Sequence, residues 1–364
     1  MRAAVVHQIN GVFDVEDDVE IGTPQGREVL VEVKASGLCH SDLHLAENDF
    51  GIPLPMVLGH EVAGIVTAVG PDVTDFAVGD HVVGSLVQSC GHCAACRAGR
   101  TYQCSNPNET LRDPANGSRL TAGGAPVTQG MGLGGFAEQA LIHENQLAKV
   151  PDALPFPQAA LLGCGTVTGA GGAINTAGVR FGDTVAVIGA GGVGLNVISG
   201  AKIAGADRII AVDLQPAKLE LAAKFGATDL VNPAETDPVA AVLELTGGGV
   251  DHAFEVIGLT STSEQAIKMA RLGGGAYLIG VHKPGATLAV DVLTDLLYGQ
   301  KKVQGVYMGS TNIKHDIPYY ADLYLQGRLN LDDLVSREIG LDQINSAYEE
   351  LKSGSIARSV ITSF

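Results

Sequence analysis

The sequence predicts an α/β protein with a mostly-β N-terminal part followed by a doubly wound parallel sheet. Up to about residue 165, short apolar runs are separated by glycine and proline turns, which is typical of short strands. From about residue 179, apolar strands alternate with helical stretches, the pattern of βαβ units. A glycine-rich turn joins the first of these strands to its helix. This turn predicts a ligand site at one end of the parallel sheet.

Composition excludes several function classes. The 364 residues are 46% hydrophobic and 17% charged and include 48 glycines, which indicates a globular enzyme of two or three domains. The formal charge of −17 argues against nucleic-acid or anionic-membrane partners, because both require basic patches. The chain starts without the long apolar stretch of a signal peptide, so we expect a cytoplasmic protein.

The N-terminal part has the period of half-buried strands. Between residues 29 and 35, Val29, Val31, Val33 and Ala35 share one face. Further apolar runs at 63–69 and 81–86 are separated by the turn residues Gly70-Pro71 and Gly79-Asp80, which predicts a barrel-like domain. In contrast, residues 105–135 have the composition of a long loop without structure of its own, and such loops tend to be functional.

Four of the six cysteines fall within 15 residues, at Cys90, Cys93, Cys96 and Cys104. Three thiols at this spacing can surround one ion, and the fourth completes a tetrahedron, so the pattern predicts a closed, structural zinc site. An even number of cysteines also suits disulfides or free thiols, but clustering in an intracellular chain favours zinc. His92 is surplus to a complete ligand set and is expected at the surface.

A second set of donors, Cys39, His60 and Cys164, offers two thiolates and an imidazole. This is the kind of set that holds a catalytic zinc and leaves its fourth position open. Asp42 and Glu61 lie beside these residues in the sequence, where carboxylates orient an imidazole and tune a metal, although surface positions are the alternative.

Two polar residues near Cys39 are candidates for proton transfer. Ser41 and His44 are able to carry a proton from the metal site to water. Without a motif around them, the simpler interpretation is that Ser41 caps a helix and His44 is a solvated surface residue.

The glycine-rich turn has the context of a dinucleotide site. Residues 184–188 form an apolar strand, the glycines Gly189, Gly191, Gly192 and Gly194 follow, and a helix is predicted to residue 204. These glycines permit a tight turn and close approach of a pyrophosphate. The next strand, 208–212, ends at Asp213, whose carboxylate suits the ribose hydroxyls of NAD and repels the 2′-phosphate of NADP.

The alternation then continues to a sixth strand. Its remaining members are helix 216–225, strand 228–231, helix 238–246, strand 250–256, helix 261–271, strand 276–281 and strand 302–307. A parallel sheet with right-handed crossovers is expected.

Together the Gly59-His60-Glu61 and Cys39-x-Ser41-Asp42 elements, the four-cysteine spacing and the glycine turn resemble the zinc-dependent medium-chain alcohol dehydrogenases, liver type. The resemblance covers essentially the whole chain. It implies a GroES-like catalytic domain over 1–165, with a zinc lobe at about 90–104, completed by 309–364. It also implies a Rossmann domain over 166–308 and two zinc ions per subunit.

In this family a primary or secondary alcohol is oxidised reversibly, and the hydride passes to NAD. The resemblance implies the zinc ligands given above, with proton transfer through Ser41 and His44. It implies cofactor contacts at His40, Thr168, Val193, Lys218, Val281 and Arg358 in addition to the glycine turn and Asp213. Thr168 and Val193 are also suitable as packing residues.

Pocket positions of the family carry apolar residues here, which favours an alcohol with a hydrocarbon or aromatic body. They are Phe50, Leu86, Phe136, Val281 and Tyr307. Relatives that oxidise the glutathione adduct of formaldehyde lack the relay histidine and have charged pocket groups. His44 and Phe50 depart from that pattern.

Two other functions remain open for such a chain. One is a nicotinoprotein that keeps NAD(H) permanently bound, and the other is a non-catalytic scaffold protein. The family resemblance implies a homodimer, with a homotetramer as the alternative. No role is assigned to the other histidines, which are expected to be structural: His7, His81, His143, His252, His282 and His315.

Overall fold

A computed structural model describes residues 1–10, 12–353 and 358–364. The strands are β1 (Ala3–Val6), β2 (Asp14–Glu16), β3 (Val19–Ile21), β4 (Glu28–Gly37), β5 (Met56–Val57), β6 (Glu61–Val69), β7 (His81–Gly84), β8 (Leu120–Ala122), β9 (Ala125–Gln129), β10 (Gln139–His143), β11 (Leu147–Lys149), β12 (Thr184–Ile188), β13 (Arg208–Val212), β14 (Asp229–Val231), β15 (Val250–Glu255), β16 (Ala270–Leu278), β17 (Lys302–Gly305), β18 (Arg337–Gly340) and β19 (Ser359–Ser363). The helices are α1 (His40–Glu47), α2 (Ala94–Arg97), α3 (Phe156–Leu161), α4 (Val167–Gly171), α5 (Gly192–Ala204), α6 (Pro216–Phe225), α7 (Pro238–Thr246), α8 (Thr260–Met269), α9 (Ile313–Leu325) and α10 (Ile344–Ser353).

The chain forms two units. The first contains Met1–Cys164 and Asn312–Phe364, and the second contains Gly165–Thr311.

The first unit is mostly β. One sheet has the order β2-β1-β5-β9-β8-β3, and the other has the order β11-β7-β6-β4-β19-β18, with β10 also pairing with β4. The predicted alternation of β4 is confirmed, since Val29, Val31 and Val33 enter one apolar cluster together with Val62 and Val66. Burying these side chains on one face of the sheet fixes the register of β4, because a slip by one residue would expose them all.

The prediction that residues 105–135 lack structure of their own is wrong. The segment contains β8 and β9, which form an antiparallel hairpin, and three short 3₁₀ turns. Arg112 and Arg119 both pair with the buried carboxylate of Glu28 in β4, with Arg119 Nε 2.8 Å from its oxygen. This long-range network holds the segment to the sheet, and the local composition gives no sign of it.

The second unit confirms the predicted parallel sheet. Its strand order is β14-β13-β12-β15-β16-β17, and every neighbouring pair is parallel. Counted from β12, this is the order 3-2-1-4-5-6 of dinucleotide-binding folds. The bounds of β12, α5, β13, α6 and α7 are those predicted. The fifth strand begins earlier and ends earlier than expected, at Ala270 and Leu278, and the sixth ends at Gly305.

Within the part of the chain that the structure describes, no helix has both the length and the apolar character needed to cross a bilayer.

Candidate active site

Three elements of the first unit bring Cys39, His60 and Cys164 together. Cys39 is the N-cap residue of α1, His60 lies in the turn before β6, and Cys164 lies in a π-helical turn, Leu162–Thr166, that follows α3. The ligand atoms of these residues and of Glu61 all lie within 4.8 Å of one another. His60 Nε2 is 3.2 Å from Cys164 Sγ, and all three side chains are buried.

The turn that carries His60 depends on a glycine. Gly59 has φ +97°, and a Cβ there would lie 2.6 Å from the backbone nitrogen of Phe136. Only glycine combines this backbone conformation with so close an approach. The local sequence before His60 therefore serves to aim its ring at the two thiols.

Asp42 contacts the imidazole of His60 at Nδ1, the ring nitrogen that does not face the thiols. One oxygen of its carboxylate accepts the N–H of Gly59 at 3.0 Å, and the other lies 2.8 Å from His60 Nδ1. Burial by itself lowers the pKa of His60, but the charges of Asp42 and Cys39 raise it well above its ordinary value. A carboxylate that engages Nδ1 leaves Nε2 to act as the metal ligand, which is the arrangement found behind most ligating histidines.

Glu61 contacts an arginine instead of the histidine. Its carboxylate is fully buried and lies 3.1 Å from Nη2 of Arg358. Burial raises the pKa of Glu61 to about 7, although the neighbouring guanidinium opposes this shift. Arg358 also donates to the carbonyl of Leu38 at 3.4 Å and lies 3.8 Å from Cys39 Sγ. The pair therefore places one positive and one negative charge beside the thiols.

The two thiols have opposite tendencies to ionise. Hydrogen bonding from Cys164, together with the charge of Arg358, lowers the pKa of Cys39 well below its ordinary value. The same interaction and burial raise the pKa of Cys164. Cys39 is thus prepared to be a thiolate, the form in which cysteine binds metals.

The donor set fits a zinc ion. Zinc takes sulfur at about 2.3 Å and nitrogen at about 2.0 Å, so two ligands on a tetrahedron lie about 3.5 Å apart. The 3.2 Å between His60 Nε2 and Cys164 Sγ is close to this value. All six cysteines of the chain are free thiols, so none is consumed by a disulfide.

The four remaining cysteines form a second group. The Sγ atoms of Cys90, Cys93, Cys96 and Cys104 lie within 4.8 Å of one another, and those of Cys93 and Cys104 are 4.0 Å apart. Backbone N–H groups point at the sulfurs, as where Cys90 N donates to Cys104 Sγ at 3.2 Å. A hydrogen bond from the Cys96 N–H lowers the pKa of Cys93 to about 5. His92 is exposed and pairs with Glu109 at 2.6 Å, as expected of a surface residue.

The proton-transfer candidates lie on α1. Since Cys39 is the N-cap, Ser41 is inside the helix, so its interpretation as a helix cap is wrong. His44 is exposed three residues further on, and His40 is exposed at the first position of the helix. Residues three apart share a helix face, so Ser41 and His44 are neighbours on α1.

The second unit contains the glycine turn between β12 and α5. A Cβ on Gly194 would lie 1.8 Å from the carbonyl of Gly189, so helix and strand approach closely there. A Cβ on Gly191 would meet no atom of the described residues within 4 Å, which leaves its backbone accessible. Asp213 Oδ2 accepts the N–H of Ala190 at 2.9 Å, so the carboxylate is fixed beside the turn. This arrangement fits a dinucleotide.

Other predicted cofactor residues are spread over both units. In the second unit Thr168 is buried with its hydroxyl 3.5 Å from Met308 Sδ, Val193 and Lys218 are half-buried, and Val281 is exposed. In the first unit Arg358 is buried against Glu61.

The predicted pocket residues differ in exposure. In the first unit Phe50 is exposed, Leu86 packs at the edge of the β4 cluster, and Phe136 is fully buried against Phe13 and Tyr348. In the second unit Tyr307 is exposed.

Two parts of the chain match known protein families. Residues 25–152 match the alcohol dehydrogenase GroES-like domain, and residues 192–326 match the zinc-binding dehydrogenase domain. The chain belongs to the zinc-dependent medium-chain alcohol dehydrogenase family.

Relatives of this dehydrogenase cover nearly its whole length. It is 38% identical over 99% of both chains to S-(hydroxymethyl)glutathione dehydrogenase of Synechocystis sp.. The crystal structure of benzyl alcohol dehydrogenase from Acinetobacter calcoaceticus covers all of this chain and 99% of its own, with 38% identity and TM-score 0.94. An alcohol dehydrogenase zinc-binding domain protein from Burkholderia ambifaria covers all of this chain and 98% of its own, with 40% identity and TM-score 0.95.

The dehydrogenase is accordingly an oxidoreductase that acts on alcohols with NAD and zinc, and the sequence-based assignment of family, fold and reaction is confirmed. Sequence reasoning missed the Glu61–Arg358 pair and the hydroxyl of Tyr348, which donates to the carbonyl of Cys39 at 3.5 Å. No local signal reveals them, since Tyr348 and Arg358 join Cys39 only through the fold.

Proposed function

We propose that the enzyme oxidises a primary or secondary alcohol with an aromatic or hydrocarbon body at a zinc ion held by Cys39, His60 and Cys164. The observation that carries this proposal is the contact of Asp42 with Nδ1 of His60, which directs Nε2 toward the two thiols. When bound, zinc supplies a Lewis acid that makes the hydroxyl of an alcohol more acidic. We assign the four-cysteine group to a second, structural ion.

The side chains of α1 have the remaining chemical tasks. Ser41 takes up the hydroxyl proton of the alcohol as it releases its own hydroxyl proton toward His44, and His44 passes a proton on to water. The exposure of His44 supports this role because the proton must leave the protein. Asp42 keeps His60 in one orientation, while Glu61 and Arg358 balance the charge around the thiolates.

Binding of NAD is assigned to the glycine turn and the strand ends of the second unit. The glycine turn accepts the pyrophosphate, Asp213 and Lys218 bind the adenosine ribose, and Thr168, Val193 and Val281 flank the nicotinamide. His40 and Arg358 are assigned to the pyrophosphate by the family resemblance alone. In these terms the first unit is the catalytic domain and the second is the coenzyme domain.

For the substrate we favour an aromatic alcohol. The apolar side chains of Phe50 and Leu86 support an apolar body, and one relative at 38% identity is named a benzyl alcohol dehydrogenase. The adduct of formaldehyde and glutathione is the second candidate, because an equally similar relative is named for it.

A substrate panel separates the two candidates. Benzyl alcohol, hexanol and S-(hydroxymethyl)glutathione are compared by the rate of NADH formation. We expect benzyl alcohol to give the highest kcat/KM. A higher value for the glutathione adduct would reverse the substrate assignment and leave the zinc assignment intact.

The metal assignment is tested by Cys39→Ala and His60→Ala. Each variant is expected to lose one of two zinc ions and alcohol-dependent NADH formation. His315→Ala changes an exposed histidine outside the site and serves as the control. Full activity in Cys39→Ala would disprove the zinc mechanism.

Assembly and location are proposed on separate grounds. A row of exposed apolar side chains between residues 292 and 298, which precede the edge strand β17 in the sequence, supports a homodimer, or a homotetramer. Light scattering after gel filtration measures this state. Six free thiols arranged as metal ligands support a reducing compartment, the cytoplasm.

A further inference from the structure

Two loops of the second unit leave the carboxyl ends of the neighbouring strands β15 and β16. In a doubly wound sheet this is the edge at which ligands bind. The first loop leads from Glu255 into α8, and the second carries Val281 and His282. Val281 is 67% exposed, so its side chain is available to a ligand at this edge.

The two loops are in direct backbone contact. A Cβ on Gly280 would lie 2.0 Å from the nitrogen of Gly258, and a Cβ on Gly258 would lie 2.4 Å from the carbonyl of Val281. Neither glycine has room for a side chain. The position of the first loop therefore constrains the backbone of Val281.

A buried carboxylate fixes the first loop. Glu255 is fully buried, and its Oε1 accepts three hydrogen bonds: from Ile257 N at 2.9 Å, Gly258 N at 2.7 Å and Thr262 Oγ1 at 2.8 Å. Ile257 also packs against the glycine turn, since a Cβ on Gly189 would lie 2.8 Å from Ile257 Cγ1. The first loop thus joins the phosphate-binding turn to the loop of Val281.

A histidine fixes the second loop. His282 Nδ1 lies 2.9 Å from the carbonyl oxygen of Gly280, and His282 Nε2 lies 2.8 Å from Ser263 Oγ. A carbonyl only accepts, so Nδ1 donates to it, and Nε2 shares a hydrogen bond with the serine hydroxyl. Ser263 is fully buried in α8, so this bond attaches the loop to a rigid helix.

We propose that Ser263 and His282 are a positioning pair that sets the place of Val281 against the nicotinamide of NAD. This inference rests on the proposed cofactor contact of Val281. His282 does not touch the cofactor in this scheme, and it acts by holding the backbone of residues 280–282 on α8. His282 therefore has a role in cofactor binding that its neighbours in the sequence do not indicate.

The test measures cofactor binding without catalysis. Dissociation constants for NADH are obtained from its fluorescence for Ser263→Ala, His282→Asn, the double variant and the wild type. Losing one hydrogen bond is expected to raise the constant about three- to tenfold. Because both changes break the same bond, the double variant should bind NADH no more weakly than the single variant with the lower affinity does. Ser261→Ala, an exposed serine on the same helix, should bind like the wild type.

The outcomes are distinct. Single variants that bind NADH as the wild type does, or effects that multiply in the double variant, would overturn the positioning pair. A lower melting temperature with unchanged NADH affinity would overturn it as well, since that result indicates a purely structural bond. Zinc content should stay at the wild-type level in every variant. If the wild type itself failed to bind NADH, the proposed function would fail instead.

Discussion

Arg358 and Glu61 form a buried ion pair, with 3.1 Å between Nη2 of the arginine and the carboxylate oxygen. Their side chains are 6% and 0% exposed, so neither charge is balanced by water. Both lie beside Cys39: Glu61 is the first residue of β6, and Arg358 directly precedes β19. A buried charge that loses its partner is strongly unfavourable, so the stability of the first unit should depend on keeping both residues of this pair.

Arg358→Gln is predicted to destabilise the enzyme by about 3 kcal/mol, because the buried Glu61 carboxyl must then either remain an uncompensated charge or bind a proton. Urea unfolding followed by circular dichroism measures the effect. The double variant Glu61→Gln/Arg358→Gln should lose less free energy of unfolding than the sum of the losses in the two single variants, since no lone charge remains.

Arg337→Gln is the matched control for that change. Arg337 pairs with Glu350 at 2.9 Å, but both side chains are about 40% exposed, so the loss should stay under about 1 kcal/mol. Equal effects of the two arginine changes would contradict the assigned importance of burial.

Asp42→Asn is predicted to weaken retention of one zinc ion about 10- to 100-fold, because the amide no longer fixes His60 through its Nδ1. Competition with a chelator, monitored by metal analysis, provides the measurement. Glu47→Gln, at the solvent end of the same helix, serves as the control, since Glu47 contacts only a surface lysine among the contacts described. Unchanged metal retention in Asp42→Asn would show that the carboxylate does not orient the ligand.

The sequence predicted those parts of the fold and site that depend on local pattern. Continuous apolar residues identified β12, and the glycines after it identified the turn into α5, because strand period and backbone freedom are local properties. Cys39 and His60 were found for the same reason, by their immediate neighbours. The pairing of Arg358 with Glu61 was not found, since the residues are almost 300 positions apart and only the fold joins them. Residues 105–135 were misjudged because their order comes from Glu28, in a distant strand.

Cys104→Ser is predicted to remove the structural ion while leaving the other zinc site with its ligands. Its Sγ accepts backbone N–H groups from Cys90 and Asn106 and closes the four-thiol group, so the lobe at 90–104 loses its centre. The zinc content measured by metal analysis should fall from two ions to one per chain, and a protease should begin to cleave the chain within the lobe. Resistance to proteolysis with two ions retained would contradict the assignment.

Asp213→Asn is predicted to shift the cofactor preference toward NADP. The neutral amide no longer repels a 2′-phosphate and binds the ribose hydroxyls of NAD less well. The ratio of kcat/KM for NAD over that for NADP should fall by about tenfold or more. Asp229→Asn, one strand further out, offers a control, because this carboxylate pairs with Arg208 and has no proposed cofactor contact. An unchanged ratio in Asp213→Asn would remove Asp213 from the cofactor site.

Acid sensitivity is predicted to depend in part on His143. Burial, together with the charges of Arg27 and Arg119, lowers the pKa of His143 from its ordinary value of 6.5 to about 4. Between these values the unfolded chain binds a proton that the folded chain does not, so stability falls as the pH falls through this window. The contribution is complete above about pH 6.5 and decreases by about 2 kcal/mol on reaching pH 5.

His143→Asn isolates this contribution. His143 Nδ1 accepts the N–H of Asn145 at 3.1 Å, and an asparagine carbonyl can accept the same bond at this cap position. Urea midpoints measured at pH 7.5 and pH 5 should therefore differ less in the variant than in the wild type. His7→Asn, at an exposed histidine, should keep the wild-type difference. Both histidine variants retain the zinc ligands, so acid loss of metal affects them equally, and an equal pH response in His143→Asn and the wild type would contradict the role of this buried ring.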